Sequence, residues 1–237
     1  MPPDNDPRQN WLLAALPADS YALFARNLET VALPLGEILT EPGYPMRYAY
    51  FPTTAIVSLL NVMRDGATTE VAVVGYEGMV GISLFMGGES TSSRSVVHSA
   101  GHGFRVKAQP LKDEFAHGGP MQPLLLRYTQ ALLTQMAQTA VCNRHHSVDQ
   151  QLARWLLLNL DRLHTNKLEM TQELIAHILG VRREGITCAA GKLHKAGLIE
   201  YHRGHITVLD RPGLEACACE CYASVRSEYD RLLPKAP

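Results

Sequence analysis

The stretch from Met170 to Asp210, MTQELIAHILGVRREGITCAAGKLHKAGLIEYHRGHITVLD, decides how the rest of the chain is read. Thr171 is a good N-cap ahead of Leu174, Ile175, Ile178 and Leu179, which recur at helical spacing, and Gly180 stops that helix. A second helix starts almost at once: Val181, Ile186, Ala190 and Leu193 form one apolar stripe, while Arg182, Arg183, Glu184, Thr187 and Lys192 fall off it. Two helices joined by a tight turn containing Gly give the helix-turn-helix layout. Beyond Gly197, residues 198–202 and 205–209 read as two short strands closed around Arg203-Gly204, where Gly can supply the positive φ of a hairpin loop. The pattern predicts a winged helix-turn-helix.

Working outward, the 237 residues are enough for one large or two modest domains. Residues 11–28 read as one or two short helices around Pro17, and from about 31 to 106 the texture changes to short apolar runs. Segments 35–39, 48–51, 55–62, 70–74, 95–98 and 103–106 have strand length, with Arg64-Asp65-Gly66 as a turn, so a sandwich or barrel is expected. The pattern alone does not separate a cyclic-nucleotide-type roll from a cupin-like jelly roll. Residues 109–115 read as a short helix. Residues 121–144 then carry the longest helical pattern, with Met121, Leu125, Tyr128 and Leu132 in a 4-3-4 rhythm and Leu126, Leu133, Met136 and Ala140 on another face. Two apolar faces imply two partners, one being the chain's own barrel and the other the same helix of a second subunit; the first set is assigned to the dimer interface. Ser147, with Gln150 three residues on, caps a further amphipathic helix over 148–163, and 211–233 reads as one C-terminal helix.

The helix-turn-helix stretch resembles the DNA-binding domain of the Crp/Fnr family of bacterial transcription regulators, through Thr171, the Leu-Gly-Val-Arg-Arg run at 179–183, Gly-Leu-Ile at 197–199 and the Arg203-Gly204 wing. The resemblance implies an α+β chain: a β-roll sensor over 1–117 with short N-terminal helices, a dimerisation helix over 118–146 and the winged helix-turn-helix over 147–237. It implies a homodimer on a palindromic double-stranded DNA operator, with RNA polymerase as a further partner. Arg183 and Glu184 match the family positions where Arg reads guanine and Glu accepts from cytosine, pairings that follow from the donor and acceptor pattern of the major groove. Thr171, Gln172, Arg182, Gly185 and Thr187 match positions touching backbone or neighbouring bases, Lys192 joins that surface, and His202 or Arg203 sets the wing on a phosphate. Cys188 stands where many relatives carry a second base-reading Arg.

The segment VGYEGMVGISLFMGGESTSSRSVVH over 74–98 resembles the phosphate-binding cassette of cyclic-nucleotide-binding domains. Gly81, Arg94 and Ser95 fit that likeness, with Arg94-Ser95 at the phosphate position. Ile82 stands where the ribose-binding Glu is expected and cannot accept its hydrogen bond, which argues against a cyclic nucleotide; no cofactor is identified. A regulator with a ligand-free, vestigial roll is the nearest alternative.

Composition excludes little else. A net charge of −1 gives no global support to nucleic-acid binding, so any basic surface must be local, around Arg182, Arg183, Lys192, Lys195, Arg203 and Arg211. The N-terminus lacks the order of a secretory signal and no apolar run approaches the ~18–20 residues that span a bilayer, so no membrane partner and a cytoplasmic location are expected. No nucleophile–base–orienter set stands out, so no catalytic residue and no enzyme are expected; a cupin-like metalloenzyme would need Glu70, Glu77 and His98 to converge. Cys217-Ala-Cys219-Glu-Cys221 invites a metal. On one continuous helix, however, 217 and 221 share a face while 219 points away, so no metal site is expected. In the resembled family the iron–sulfur members carry their cysteines near the N-terminus, whereas none here precedes Cys142.

Overall fold

The computed structural model describes residues 6–163 and 165–234. They form two compact units, one of residues 1–59, 74–133 and 228–237, the other of 60–73 and 134–227.

The chain opens with two short helices, α1 (Trp11–Ala14) and α2 (Ala18–Ala25). Strands β1 (Glu29–Leu33), β2 (Ile38–Thr40), β3 (Tyr48–Pro52), β4 (Ile56–Val62), β5 (Thr68–Val74), β6 (Arg94–Ser99) and β7 (Gly101–Lys107) follow. One sheet has the order β1-β7-β3 and the other β2-β6-β4-β5. In the first, Glu29 stands opposite Arg105 and the two side chains pair at 2.9 Å, an opposite-charge match across antiparallel strands. Phe24, Leu33, Phe51, Val97 and Val106 are among the fully buried residues of this unit. Strand β1 lies outside the expected segments: its burial runs from exposed at Glu29 to buried only at Leu33, so it lacks the apolar alternation that marks a strand in sequence.

After α3 (Ala108–Ala116), the long helix α4 spans Met121–His145. Met121, Leu125, Tyr128 and Leu132 are at most 1% exposed within the single subunit, and the Tyr128 hydroxyl donates to the Met79 carbonyl at 2.8 Å. This corrects the assignment of these four to a dimer interface: side chains already enclosed by their own roll have no surface to offer. The exposed large apolar residues of α4 are Leu126, Leu133 and Val141.

The second unit is built on α5 (Val148–Leu160), with Ser147 closing a capping box with Gln150 as expected. Every residue from Gln151 to Leu160 is buried. Most of its polar groups find partners: Trp155 Nε1 donates to Glu70 Oε1 at 3.0 Å, Arg154 Nη2 to Thr139 Oγ1 at 2.7 Å, and Asn159 to the Trp155 carbonyl, while Arg154 Nε and Gln151 Oε1 are buried without one. Strand β8 (Lys167–Glu169), α6 (Gln172–Leu179), α7 (Arg183–Lys195), β9 (Ile199–His202) and β10 (His205–Val208) complete the winged element, with sheet order β8-β10-β9. Instead of one C-terminal helix there are two, α8 (Arg211–Cys217) and α9 (Glu220–Leu232), because Ala218 leaves helical geometry at ψ 158°. Roll, long helix and winged domain thus follow one another as expected, and among the described residues no helix is long and apolar enough to cross a membrane.

Gly78 lies beneath α4, where an added Cβ would come within 2.4 Å of the Tyr128 ring. Gly78→Ala should therefore destabilise the protein by ~1–3 kcal/mol through overpacking. An unchanged melting temperature and urea midpoint would show that this contact does not constrain the fold.

Candidate nucleic-acid interface

The two helices of the reading element meet at Gly180, which is left-handed at φ 66° and closes α6 with hydrogen bonds back to Ala176 and His177. Thr171 caps α6 through its Oγ1, accepting from Leu174 N. Helix α7 begins two residues later than the apolar pattern predicts, since Val181 and Arg182 form the turn and Arg182 is the extended N-cap. Ile186, Ala189, Ala190 and Leu193 are buried along one side of α7. That placement turns Arg182, Arg183, Glu184, Thr187, Cys188 and Lys192 outward, all exposed on the opposite side, with Gly185 half-buried.

Their side chains are not equally available. Those of Arg182, Arg183 and Glu184 make no hydrogen bond or ion pair with another described residue. Thr187 Oγ1 donates to Gln172 Oε1 at 2.7 Å, locking α7 to the start of α6, and the Gln172 amide in turn donates to the Tyr201 hydroxyl. Lys192 Nζ sits 2.6 Å from Asp149 Oδ2 in the first turn of α5, and that hydrogen bond raises its pKa. Its charge is therefore compensated before any phosphate arrives. In the wing, Arg203 takes the left-handed conformation at φ 48°, which with Gly204 at φ 85° makes a tight turn carrying exposed His202 and Arg203 at its tip. The Gly204 carbonyl accepts from Met170 N, tying the wing to the entry of α6. The expected DNA set is thus gathered on one surface, except that Lys192 is engaged within the subunit.

With that geometry in view, residues 150–217 match the family model of the Crp-like helix-turn-helix domain. The matched span takes in α6, α7 and the wing. The Crp/Fnr likeness extends over most of the chain in solved structures. A protein from Eubacterium rectale assigned to the Crp/Fnr family matches with TM-score 0.69 at 21% identity, over 87% of this chain and 96% of that one. FixK2 from Bradyrhizobium japonicum gives 0.70 at 18%, over 81% and 98%. The c-di-GMP-responsive global regulator CLP from Xanthomonas campestris gives 0.62 at 17%, over 82% and 100%. Identities this low establish a shared fold. Among curated proteins, none matches the sequence.

The ligand set expected in the roll is dispersed among internal contacts. Arg94 is held by Glu41 in a two-pronged pair, Nη2–Oε1 at 2.9 Å and Nε–Oε2 at 3.0 Å. The buried Ser95 Oγ accepts from Thr40 Oγ1 at 2.7 Å. Gly81 and Ile82 open a short 3₁₀ turn, Ile82–Leu84, close against Ala49 and Met46. Sequence reasoning missed a cleft of about 340 Å³ on the roll, lined by Ile38, Thr40, Glu41, Tyr44, Met46 and Tyr50. Its signal was weak, since exposed tyrosines in a loop are ordinary. The cupin alternative is not supported: Glu77 accepts from Gly75 N, Glu70 from Trp155, and His98 shares a short hydrogen bond with Ser58.

Gly191 lies within α7 with nothing inside 4 Å of an added Cβ and no positive φ. Gly191→Ala should stabilise the reading domain by ~0.4–1 kcal/mol, since Ala removes freedom only from the unfolded chain. A urea melt with a midpoint unchanged or lowered would show that α7 is strained at this position.

Proposed function

We propose that the chain is a sequence-specific, DNA-binding transcription regulator that acts in the cytoplasm as a homodimer on a two-fold operator. In this reading residues 1–117 sense, 118–146 dimerise and 147–237 read DNA. The observation that carries it is the exposed polar side of α7, where Arg183 and Glu184 stand unpaired at the start of a helix belonging to a Crp-like helix-turn-helix domain. Arg offers a forked donor to guanine O6 and N7, and Glu accepts from cytosine N4. Thr171, Gln172, Arg182, Thr187, His202 and Arg203 fix the helix angle through the backbone, with Gly185 allowing close approach and Cys188 facing a neighbouring base pair. RNA polymerase is the proposed protein partner beyond the second subunit.

The second subunit docks on the outer face of α4. Leu126, Gln130, Leu133, Ala137 and Ala140 are exposed at 4-3-4-3 spacing, the rhythm of a coiled-coil seam. A two-fold operator asks for two copies with recognition helices about 34–36 Å apart, and a symmetric helix pair supplies the axis. The effector is not a cyclic nucleotide in this reading, since Arg94 already has its carboxylate and Ile82 has no acceptor; the tyrosine-lined cleft is the better place for a small ligand. Any effector acts by binding one arrangement of the dimer more tightly than the other.

Operators selected from random duplex DNA by the purified protein provide the test. Arg183→Ala should lose ~1–3 kcal/mol at its matched base pair, about 5- to 150-fold in affinity, with discrimination relaxed there alone. Equal affinity and selectivity in a fluorescence anisotropy titration would remove Arg183 from the reading set. The double variant Leu126→Glu, Leu133→Glu should sediment as a monomer where the parent sediments as a dimer; a monomeric parent would end the two-fold model.

A further inference from the structure

The break between α8 and α9 has a chemical consequence. Cys142 lies in the last turn of α4, and His146 follows four residues later, its amide still donating to the Cys142 carbonyl at 3.0 Å. Cys219 and Cys221 flank the first residue of α9. The three sulfurs and the imidazole nitrogen all lie within 4.8 Å of one another, and among the described residues this is the one such group of His, Cys, Asp or Glu. On an unbroken helix Cys219 would point away from the face shared by Cys217 and Cys221. With Ala218 extended, Cys219 is freed from the helical face and turns inward, while Cys217 stays exposed and outside the group.

We propose that Cys142, His146, Cys219 and Cys221 form a structural zinc site. Cys142 Sγ and Cys219 Sγ stand 3.5 Å apart, and Cys221 Sγ stands 3.6 Å from His146 Nδ1. Four donors around a tetrahedral Zn²⁺ with Zn–S bonds of about 2.3 Å and Zn–N of about 2.0 Å sit roughly 3.5–3.8 Å apart. The spacing therefore fits one ion. An iron–sulfur cluster spreads its thiolates over several irons and needs a wider cage.

The surroundings have the features of a ligand shell. The other ring nitrogen of His146, Nε2, faces Glu220 Oε2 at 3.3 Å, the carboxylate–imidazole arrangement that orients a metal-binding His and makes Nδ1 the ligand. Gln151 Nε2 donates to the His146 carbonyl at 2.9 Å, fixing the backbone between two of the ligands. Three thiolates and one neutral imidazole leave a zinc site with one net negative charge, and the nearby Arg154 guanidinium supplies the opposite one. Cys142, Cys219 and Cys221 are at most 4% exposed, so water does not compete for the sulfurs.

A disulfide explains the group less well. Joining Cys142 to Cys219 requires closure to about 2.05 Å and leaves Cys221, His146 and Glu220 without a role. Zinc binding releases three protons, one from each thiol, as the three Zn–S bonds form. Because all four positions are filled by protein, the ion has no open site for substrate and its role is structural.

Tag-free, full-length protein from zinc-replete medium should contain about one zinc per chain, measured by mass spectrometry of the purified protein. Cys219→Ser and Cys142→Ser should lose it, while Cys217→Ser should retain it. Should either serine variant fail to fold, cobalt(II) added to chelator-treated parent should give intense thiolate-to-metal absorption and visible bands of a tetrahedral ion. Restoring zinc should also raise the melting temperature of the stripped protein. Zinc well below one per chain with no thiolate–cobalt absorption would overturn the site, as would zinc that survives loss of both Cys142 and Cys219. DNA binding is read separately, so either result leaves the operator proposal standing.

Discussion

Burial of α5 on all sides is the constraint around which the second unit is arranged. A helix with apolar residues all round needs neighbours all round, and its polar residues must find partners because water does not reach them. Leu152, Leu156 and Leu157 satisfy the first demand, and the contacts of Trp155, Arg154 and Asn159 the second. The Trp155–Glu70 bond draws strand β5 against the helix, Thr139 brings in α4, and Asp161 just past the helix end accepts from both Arg211 and Tyr222. Burial and the adjacent Asp161 carboxylate push the Tyr222 phenol up to about 12, so it remains a neutral donor to Asp161 across the physiological range. Losing one of these partners would strand a buried polar group, which costs more than the bond itself returns.

A floor held this firmly lets α6 and α7 place their polar sides outward without loosening the core. It also reconciles a net charge of −1 with the proposed DNA-reading surface. The charge that matters sits within a helical turn or two of the bases, because fields from exposed groups fade over roughly 8–10 Å at physiological salt. Arg182, Arg183 and Arg203 are uncompensated within the subunit, whereas Lys192 has already met Asp149. A phosphate reaching Lys192 must displace that carboxylate, so this lysine adds less than its exposure suggests.

The helix-turn-helix was legible because its signals are local: a threonine cap, a 3.6-residue apolar stripe and a glycine where φ must be positive. The strands β3 to β7 were legible for the same kind of reason. What failed was information held in tertiary packing. Periodicity showed that α4 has two apolar faces but not which one the roll would cover, and Tyr128 with its hydroxyl on Met79 belongs to the covered one. Residues 218–219 contain no proline or glycine to announce a break; the chain leaves the helix there while Cys219 and Cys221 are buried beside Cys142. Arg94 and Ser95 matched a motif by type, yet Glu41 and Thr40, over fifty positions away, had already engaged them.

The joint after α4 is where mechanical consequences concentrate. Along Met121–His145 the chain is one continuous α-helix. Beyond His145 the chain turns, and Ser147, extended at φ −67° and ψ 158°, restarts it as α5 through its capping box with Gln150. The Cys142–His146 pair lies before Ser147 and Gln151 four residues after it, its side chain donating back to the His146 carbonyl, so side chains on both sides of the bend brace it. Such a brace favours one bend angle over others. In the proposed dimer, an effector bound in the roll would reset the reading heads only if its preference between dimer arrangements exceeded the cost of straining that bend.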